Sequence, residues 1–304
     1  MTGSEFVPLS LPPSLIGICV AVACALPGNF LVLRRQALIG DAISHVVLPG
    51  IVVAFLISGV VAKLPMLLGA AGAAVVAVAA IELIRRLGKI EPGAAMGVVF
   101  TTMFAGGVLL LEKSDTSSVH LDVEHALFGN LESLIWLDAT GWSSVFDIDA
   151  LAGLPVELPR MAITLIGVAL FIAIFWRPLK ISTFDEGFAR TMGMRTGPLG
   201  LALVIVSAIA AVAAFDAVGS IIVIAMFICP PAAARLMTNR LETQVAWSVA
   251  FAILAAISGY MIAGYGPLWI GFHGSVSAAG MIATMSGVIL GIAAVKGPHR
   301  QRAT

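Results

Sequence analysis

Nine stretches of this chain are apolar over about the 20 residues that a helix needs to cross a bilayer core about 30 Å thick. They are residues 11–33, 42–61, 64–83, 93–111, 161–176, 199–215, 218–237, 245–265 and 275–295. The fifth is short, and Pro230-Pro231 breaks the seventh, so the count lies between eight and ten, with eight or nine expected. Composition agrees: 60% of the 304 residues are hydrophobic and 11% are charged, against about 25% charged in a soluble domain. Such a chain has too little polar surface to cover a core in water, which excludes a soluble enzyme, a nucleic-acid binder and a disordered protein. The expected fold is all-α: a polytopic membrane helix bundle forming a single transmembrane domain over residues 1–304. Runs of small residues such as GAAGAAVVAVAA (residues 69–80) let its helices approach closely, which is how membrane helices pack without a hydrophobic drive between them. Cys19, Cys24 and Cys229 all lie in apolar stretches and read as small core residues. The N-terminus lacks the basic region of a cleavable signal peptide.

The net charge of zero hides a sorting. With the N-terminus outside, 14 of the 17 Lys and Arg residues fall in inner loops, leaving Lys63, Lys113 and Arg160 outside. That asymmetry fixes the orientation by the positive-inside rule. Residues 112–159 then form an extracytoplasmic loop carrying nine acidic residues and one lysine, either simply solvated or attractive to incoming cations. Residues 177–198 form a cytoplasmic segment. Within it, Phe184, Phe188 and Met192 make one apolar stripe at helical spacing, with Asp185 and Glu186 in the first turn and Gly193 and Gly197 able to end the helix. The stripe suits either lipid headgroups or the groove of a partner protein.

Ionisable groups inside spans are costly and point to function. Asp41 and His45 stand at the start of the second span, and their i, i+4 spacing puts both on one helical face. A carboxylate and an imidazole suit one divalent transition metal, and a second copy of the chain would supply two more ligands. The alternative is a pair that merely caps or pins the helix, with Asp41 near the N-cap. Pro49 leaves the His45 carbonyl free as a further ligand or as the site of a kink, while Ser44 reads as a packing residue. His120, His125 and His273 fall in outer connections and His299 in a basic tail. Residues 266–274 are short enough to dip back into the membrane. Asp216, between two spans, faces the outer water or caps the next helix, and Glu82 with Arg86 forms an i, i+4 pair. Catalytic motifs are missing: the one Gly-Lys, Gly88-Lys89, is followed by Ile90, and there is no H-E-x-x-H or G-x-S-x-G. The chain is therefore not expected to be an enzyme, and driven transport would draw its energy from another chain or from an ion gradient.

Five blocks now carry a family likeness. LVLRRQALIGDAISHVVLPGIVVAFL (residues 31–56) resembles the signature of the zinc/manganese/iron ABC transporter permeases. The resemblance continues, in family order, through IEPGAAMGVVFTTMFAGGVLL (90–110), HALFGN (125–130), FDEGFARTMGM (184–194) and VGSIIVIAMFICPPAAARLMT (218–238). It implies a fold like that of the metal-chelate-type importer permeases and a dimer whose second permease subunit is identical or paralogous. It also implies cytoplasmic ABC ATPase subunits that use the ATP, and an extracytoplasmic metal-binding protein. The membrane would be the bacterial inner membrane, and the cargo manganese or zinc, possibly iron, with no permanently bound cofactor. Asp41 and His45 match the family's G-D-A-x-S-H motif on the metal pathway. Phe184, Asp185, Phe188, Ala189 and Gly193 fall in its ATPase-coupling segment. The sequence departs from the family at Lys89-Ile90-Glu91-Pro92, in the long outer stretch 138–157, and in GYGPLWIGFHGS. The rival is a proton-coupled secondary metal transporter, in which Asp41 carries protons and His45 tunes it without an ATPase. Either way metal binding needs neutral His45, so affinity should fall in acid.

Overall fold

The computed structural model describes residues 3–59, 63–113, 131–269, 271 and 276–298. His120, His125, His273 and His299 lie outside the described residues, as does the whole HALFGN block. Among the described residues there is no β-strand, and nine helices are long and apolar enough to cross a membrane.

The long helices are α1 (Gly3–Leu33), α2 (Ile39–Ser58), α3 (Lys63–Gly88) and α4 (Pro92–Lys113). After a short helix α5 (Ile148–Ala152) come α6 (Glu157–Ile174), α7 (Trp176–Phe184) and α8 (Glu186–Thr191). The chain then runs through α9 (Thr196–Val218), α10 (Ser220–Met237), α11 (Leu241–Trp269) and α12 (Ala278–Lys296). Most helices outrun their apolar stretches, because backbone hydrogen bonding continues into polar flanks such as IRRLG at the end of α3. The fifth crossing reaches 18 residues by starting at Glu157. Pro230 and Pro231 do not break α10, which runs unbroken to Met237. Both rings are buried, and membrane helices tolerate proline where neighbouring helices pack against them. Residues 266–269 belong to α11 rather than to a re-entrant loop.

Helix α1 is the hub: it packs on α6, α9, α10 and α11, and it is apolar on all sides, as a helix surrounded by others must be. Helices α2, α3 and α4 form one lobe and α10, α11 and α12 another, with α9 touching α2, α3, α6 and α10 between them. Ile16, Phe30, Leu31, Leu203, Met226 and Phe227 fill the shared core. One polar contact crosses it: Asn29 of α1 donates to Ser248 (3.0 Å) and accepts from Gln244 (3.2 Å), both on α11.

The middle of α2 is held by close approach of small residues. A Cβ on Gly50 would stand 2.6 Å from the Gly69 carbonyl oxygen of α3, and one on Gly107 of α4 would stand 2.7 Å from Pro49 Cβ. Helix α2 therefore lies against both neighbours through backbone, and its position follows theirs.

Beyond α4, the stretch from Leu131 to Ala152 folds as a cap rather than a plain loop. Trp136 is buried beside Val7, Ala139 and Ala150. Its indole donates to the Ala150 carbonyl (2.7 Å) and its backbone N–H to that of Pro8 (2.8 Å). Phe6 stacks on Trp142 at 6.3 Å. The acidic stretch read from the sequence as a loop thus begins after Lys113 and ends before Glu157.

Candidate metal site and coupling segment

The approach to α2 is a closed turn. Gln36 N–H donates to Leu31 O (2.8 Å) and Arg35 N–H to Val32 O (3.1 Å), the pair of bonds that defines a Schellman end to a helix. Arg35 takes the left-handed position with φ 58°, at a cost of about 1–2 kcal/mol for a residue with a Cβ. Ile39 N–H then donates to Gln36 O and Ala42 N–H to Leu38 O, so α2 starts directly out of the turn.

Asp41 lies in the first turn of α2, where the positive end of the helix dipole favours a carboxylate. It does not cap the helix: Leu38 holds that position without a side-chain bond. Ser44 Oγ donates to the Asp41 carbonyl at 2.6 Å, a local role in keeping with a packing residue. His45 Nε2 stands 3.6 Å from Asp41 Oδ1, too far for a hydrogen bond. The two groups are thus side by side with their facing atoms uncommitted to each other. A zinc ion about 2.1 Å from both would see them at an angle of about 118°, wider than tetrahedral, from that 3.6 Å separation. The His45 ring is fixed by Phe100, stacked at 5.2 Å, and by Phe104, edge-on at 5.7 Å. Both side chains are more than a third exposed, at 35% for Asp41 and 41% for His45. Among the described residues no third His, Cys, Asp or Glu joins them.

The opposite side of α2 behaves differently. Ile39, Ala42, Ile43 and Val46 line a cavity of about 390 Å³ at the basic end of the bundle. Arg34, Glu82, Arg85, Glu186 and Thr196 face the same space. Glu82 pairs with Arg85 at 2.9 Å, three residues on, while the side chain of Arg86, its i, i+4 partner in the sequence reading, lies outside the described residues.

The candidate coupling segment is a pair of short helices. Phe184 ends α7, and Asp185 caps α8 by accepting from Phe188 N–H at 2.8 Å. Phe184, Phe188 and Met192 stand 54–55% exposed in the isolated chain, so the apolar stripe is presented to the surroundings. Ala189 is fully buried and acts through packing rather than at that surface. Gly193 adopts φ 77° just after α8 and turns the chain, a left-handed conformation that favours glycine. Gly197 lies inside α9 and does not end the helix. Glu186 accepts from Arg190 (2.7 Å) and Thr196 (3.1 Å). Burial pushes its carboxyl upward, but those bonds and the charges of Arg190 and Arg85 prevail and hold it below the ordinary range.

A model of the ABC 3 transport family matches residues 9–140 and 149–296. The chain belongs to that family. It is 38% identical over 272 residues to the "Manganese transport system membrane protein MntD" of Bacillus subtilis, covering 90% of this chain and 86% of that protein. It is 38% identical over 281 residues to the "Zinc transport system membrane protein TroD" of Treponema pallidum, covering 91% and 71%. Among solved structures, PsaBC from Streptococcus pneumoniae in complex with Fab superposes with a TM-score of 0.71 at 26% identity, over 95% of this chain and 92% of that one. A putative metal-chelate type ABC transporter in an inward-facing conformation shares the fold, with a TM-score of 0.66 at 16% identity over 96% and 88%. This family member is therefore a multi-pass membrane permease of an ABC importer, a transporter and not an enzyme.

Three contacts in the permease escaped the sequence. Arg34 reaches Ser182 and Thr183, some 150 positions on in the chain. Arg160 pairs with Asp216 at 2.6 Å; Asp216 lies inside α9, exposed, and does not cap the next helix. The Asn29–Gln244–Ser248 contact had a readable signal, since amides are rare in such apolar spans, but their partnership had none.

Proposed function

We propose that this permease carries a divalent transition metal, manganese or zinc and secondarily iron, inward across a bacterial inner membrane. The observation that carries the reading is the Asp41–His45 pair: a carboxylate and an imidazole, ring-fixed, 3.6 Å apart and half open. Hard oxygen with borderline nitrogen suits manganese, iron and zinc. The names of the relatives support the first and the last of these. Two ligands hold an ion loosely, which suits a site that must release it. A second permease subunit, identical or paralogous, would add its own pair across a shared face. That arrangement would also cover two polar side chains which lipid would tolerate poorly.

In this reading an extracytoplasmic metal-binding protein delivers the ion at the end bearing the acidic cap. Cytoplasmic ABC ATPase subunits dock on residues 177–198, with Phe184 and Phe188 as apolar contacts. Asp185 and Gly193 set the shape of α8, and Ala189 seats it on the bundle. ATP is hydrolysed in those partner subunits, and the permease itself holds no permanent cofactor.

Proteoliposomes containing the permease test this, with and without its ATPase partner and ATP. Manganese or zinc uptake should need both, and should be lost in Asp41→Ala and His45→Ala. Uptake driven by a proton gradient through the permease alone would replace this reading with that of a secondary transporter. Unchanged uptake by the two variants would remove the site assignment.

A further inference from the structure

A single side chain bridges the coupling helices and the turn that leads into the metal-bearing helix. Arg34 donates from Nη2 to Ser182 Oγ (2.8 Å) and from Nε to Thr183 Oγ1 (3.0 Å). Those hydroxyls occupy the last turn of α7, directly before Phe184. Ser182 also donates to the Leu179 carbonyl (3.3 Å), and Leu179 is fully buried, so the acceptor end is anchored. The donor end is equally fixed, because Arg34 N–H bonds Phe30 O and the next two residues complete the Schellman turn. From there to Asp41 the chain is tied by the hydrogen bonds of Ile39 N–H to Gln36 O and of Ala42 N–H to Leu38 O.

The chemistry of the contact is unusual for a structural peg. Arg34 is largely buried, and burial lowers the hold on its proton while the charge of Glu186 opposes that effect. Yet its side-chain hydrogen bonds go to neutral hydroxyls, since Glu186 is taken up by Arg190 and Thr196. Bonds from a cation to hydroxyls are directional but are not the bidentate clamp of a carboxylate pair. An apolar residue would fill the space at lower desolvation cost. The remainder of Arg34 faces the 390 Å³ cavity, giving the side chain room to shift when α7 shifts. The rival route from α8 runs through the Glu186–Thr196 bond into α9.

We propose that Arg34 is the positioning residue that transmits movement of the ATPase-docking helices to α2 and its Asp41–His45 pair. This rests on the ABC-import reading given above. The test measures ATP hydrolysis and manganese uptake in the same proteoliposomes, using the full complex of permease and ATPase subunits. Arg34→Met keeps the apolar stem and should leave ATP hydrolysis near wild type, while manganese moved per ATP falls about tenfold. The double variant Ser182→Ala, Thr183→Val should reproduce that loss, and adding it to Arg34→Met should cost little more. Arg34→Lys, which keeps a donor, should restore part of the ratio. Thr196→Val should keep it. An unchanged ratio in Arg34→Met overturns the proposal, as does a parallel fall of hydrolysis and uptake, or uncoupling by Thr196→Val alone. Absence of ATP-dependent uptake in the wild-type complex would instead overturn the import reading itself.

Discussion

Gly69 and Gly72 lie one turn apart on α3, and replacing each by alanine separates the cost of a helix contact from everything else. A Cβ on Gly69 would stand 2.4 Å from Ala54 Cβ and 2.4 Å from the Gly50 carbonyl oxygen. Ordinary carbon contacts lie at about 3.5–4.0 Å, so α2 and α3 must part by about 1 Å. Neither neighbour can rotate aside, since one is backbone and the other a Cβ. A Cβ on Gly72 meets nothing within 4 Å. Both substitutions gain the same helix propensity, about 1 kcal/mol, so it cancels in the comparison. What remains is the overpacking cost at Gly69, about 1–3 kcal/mol. The assay is equilibrium unfolding of both variants in one detergent–lipid mixture. Gly72→Ala should match or exceed wild type, and Gly69→Ala should fall below Gly72→Ala by that margin. Equal stability of the two would refute the claim that α2 rests on α3 through backbone contact at this point.

Two further outcomes follow from ion pairs. Asp216→Ala strips the partner from Arg160, whose Nε and Nη2 are already buried without hydrogen-bond partners. It should cost about 1–3 kcal/mol, and Arg160→Met added to it should recover much of the loss in the same unfolding assay. Equal stability of the single and double variants would show that the guanidinium is solvated after all. Glu186 has a depressed carboxyl pKa, so its pairing stabilises the protein above the ordinary value and is lost as acid protonates it. The stability gap between wild type and Glu186→Gln should therefore be flat near neutrality and close below about pH 4.3. A gap that widens in acid would reverse the sign of the argument.

The crossings were legible because each is a long apolar run, and length alone decides membrane crossing. Their ends were not, because hydropathy stops at the first polar residue while hydrogen bonding continues: α1 starts at Gly3, not near residue 11, and α3 runs on to Gly88. Pro230-Pro231 misled for a related reason. Proline is a local signal of breakage, whereas what keeps α10 continuous is tertiary packing around two buried rings. Asp41 and His45 were legible because two titratable groups at helical spacing stand out in a chain so poor in charge. The tie from Arg34 to Ser182 and Thr183 was not, since nothing local links residues about 150 positions apart. Arg34 looked like one more inner-loop charge.

That distribution has a physical cause which also bears on mechanism. In an apolar bundle a polar group is visible in the sequence only where its own surroundings are apolar, and Asp41 and His45 satisfy that. The parts proposed to transmit movement sit at the polar ends, where arginines and hydroxyls are common and none stands out. The two kinds of site also differ in how their groups are engaged. Asp41 and His45 are 3.6 Å apart with no hydrogen bond between them, and half open. Arg34, Glu186, Arg190 and Thr196 are engaged in short side-chain bonds. A group already bonded cannot take a cation without giving something up, whereas an unbonded pair can. A device that binds and releases an ion needs its ligands loose and its levers tight, and α2, the helix that would join them under this proposal, begins in a turn closed by the backbone bonds of Arg35, Gln36, Ile39 and Ala42.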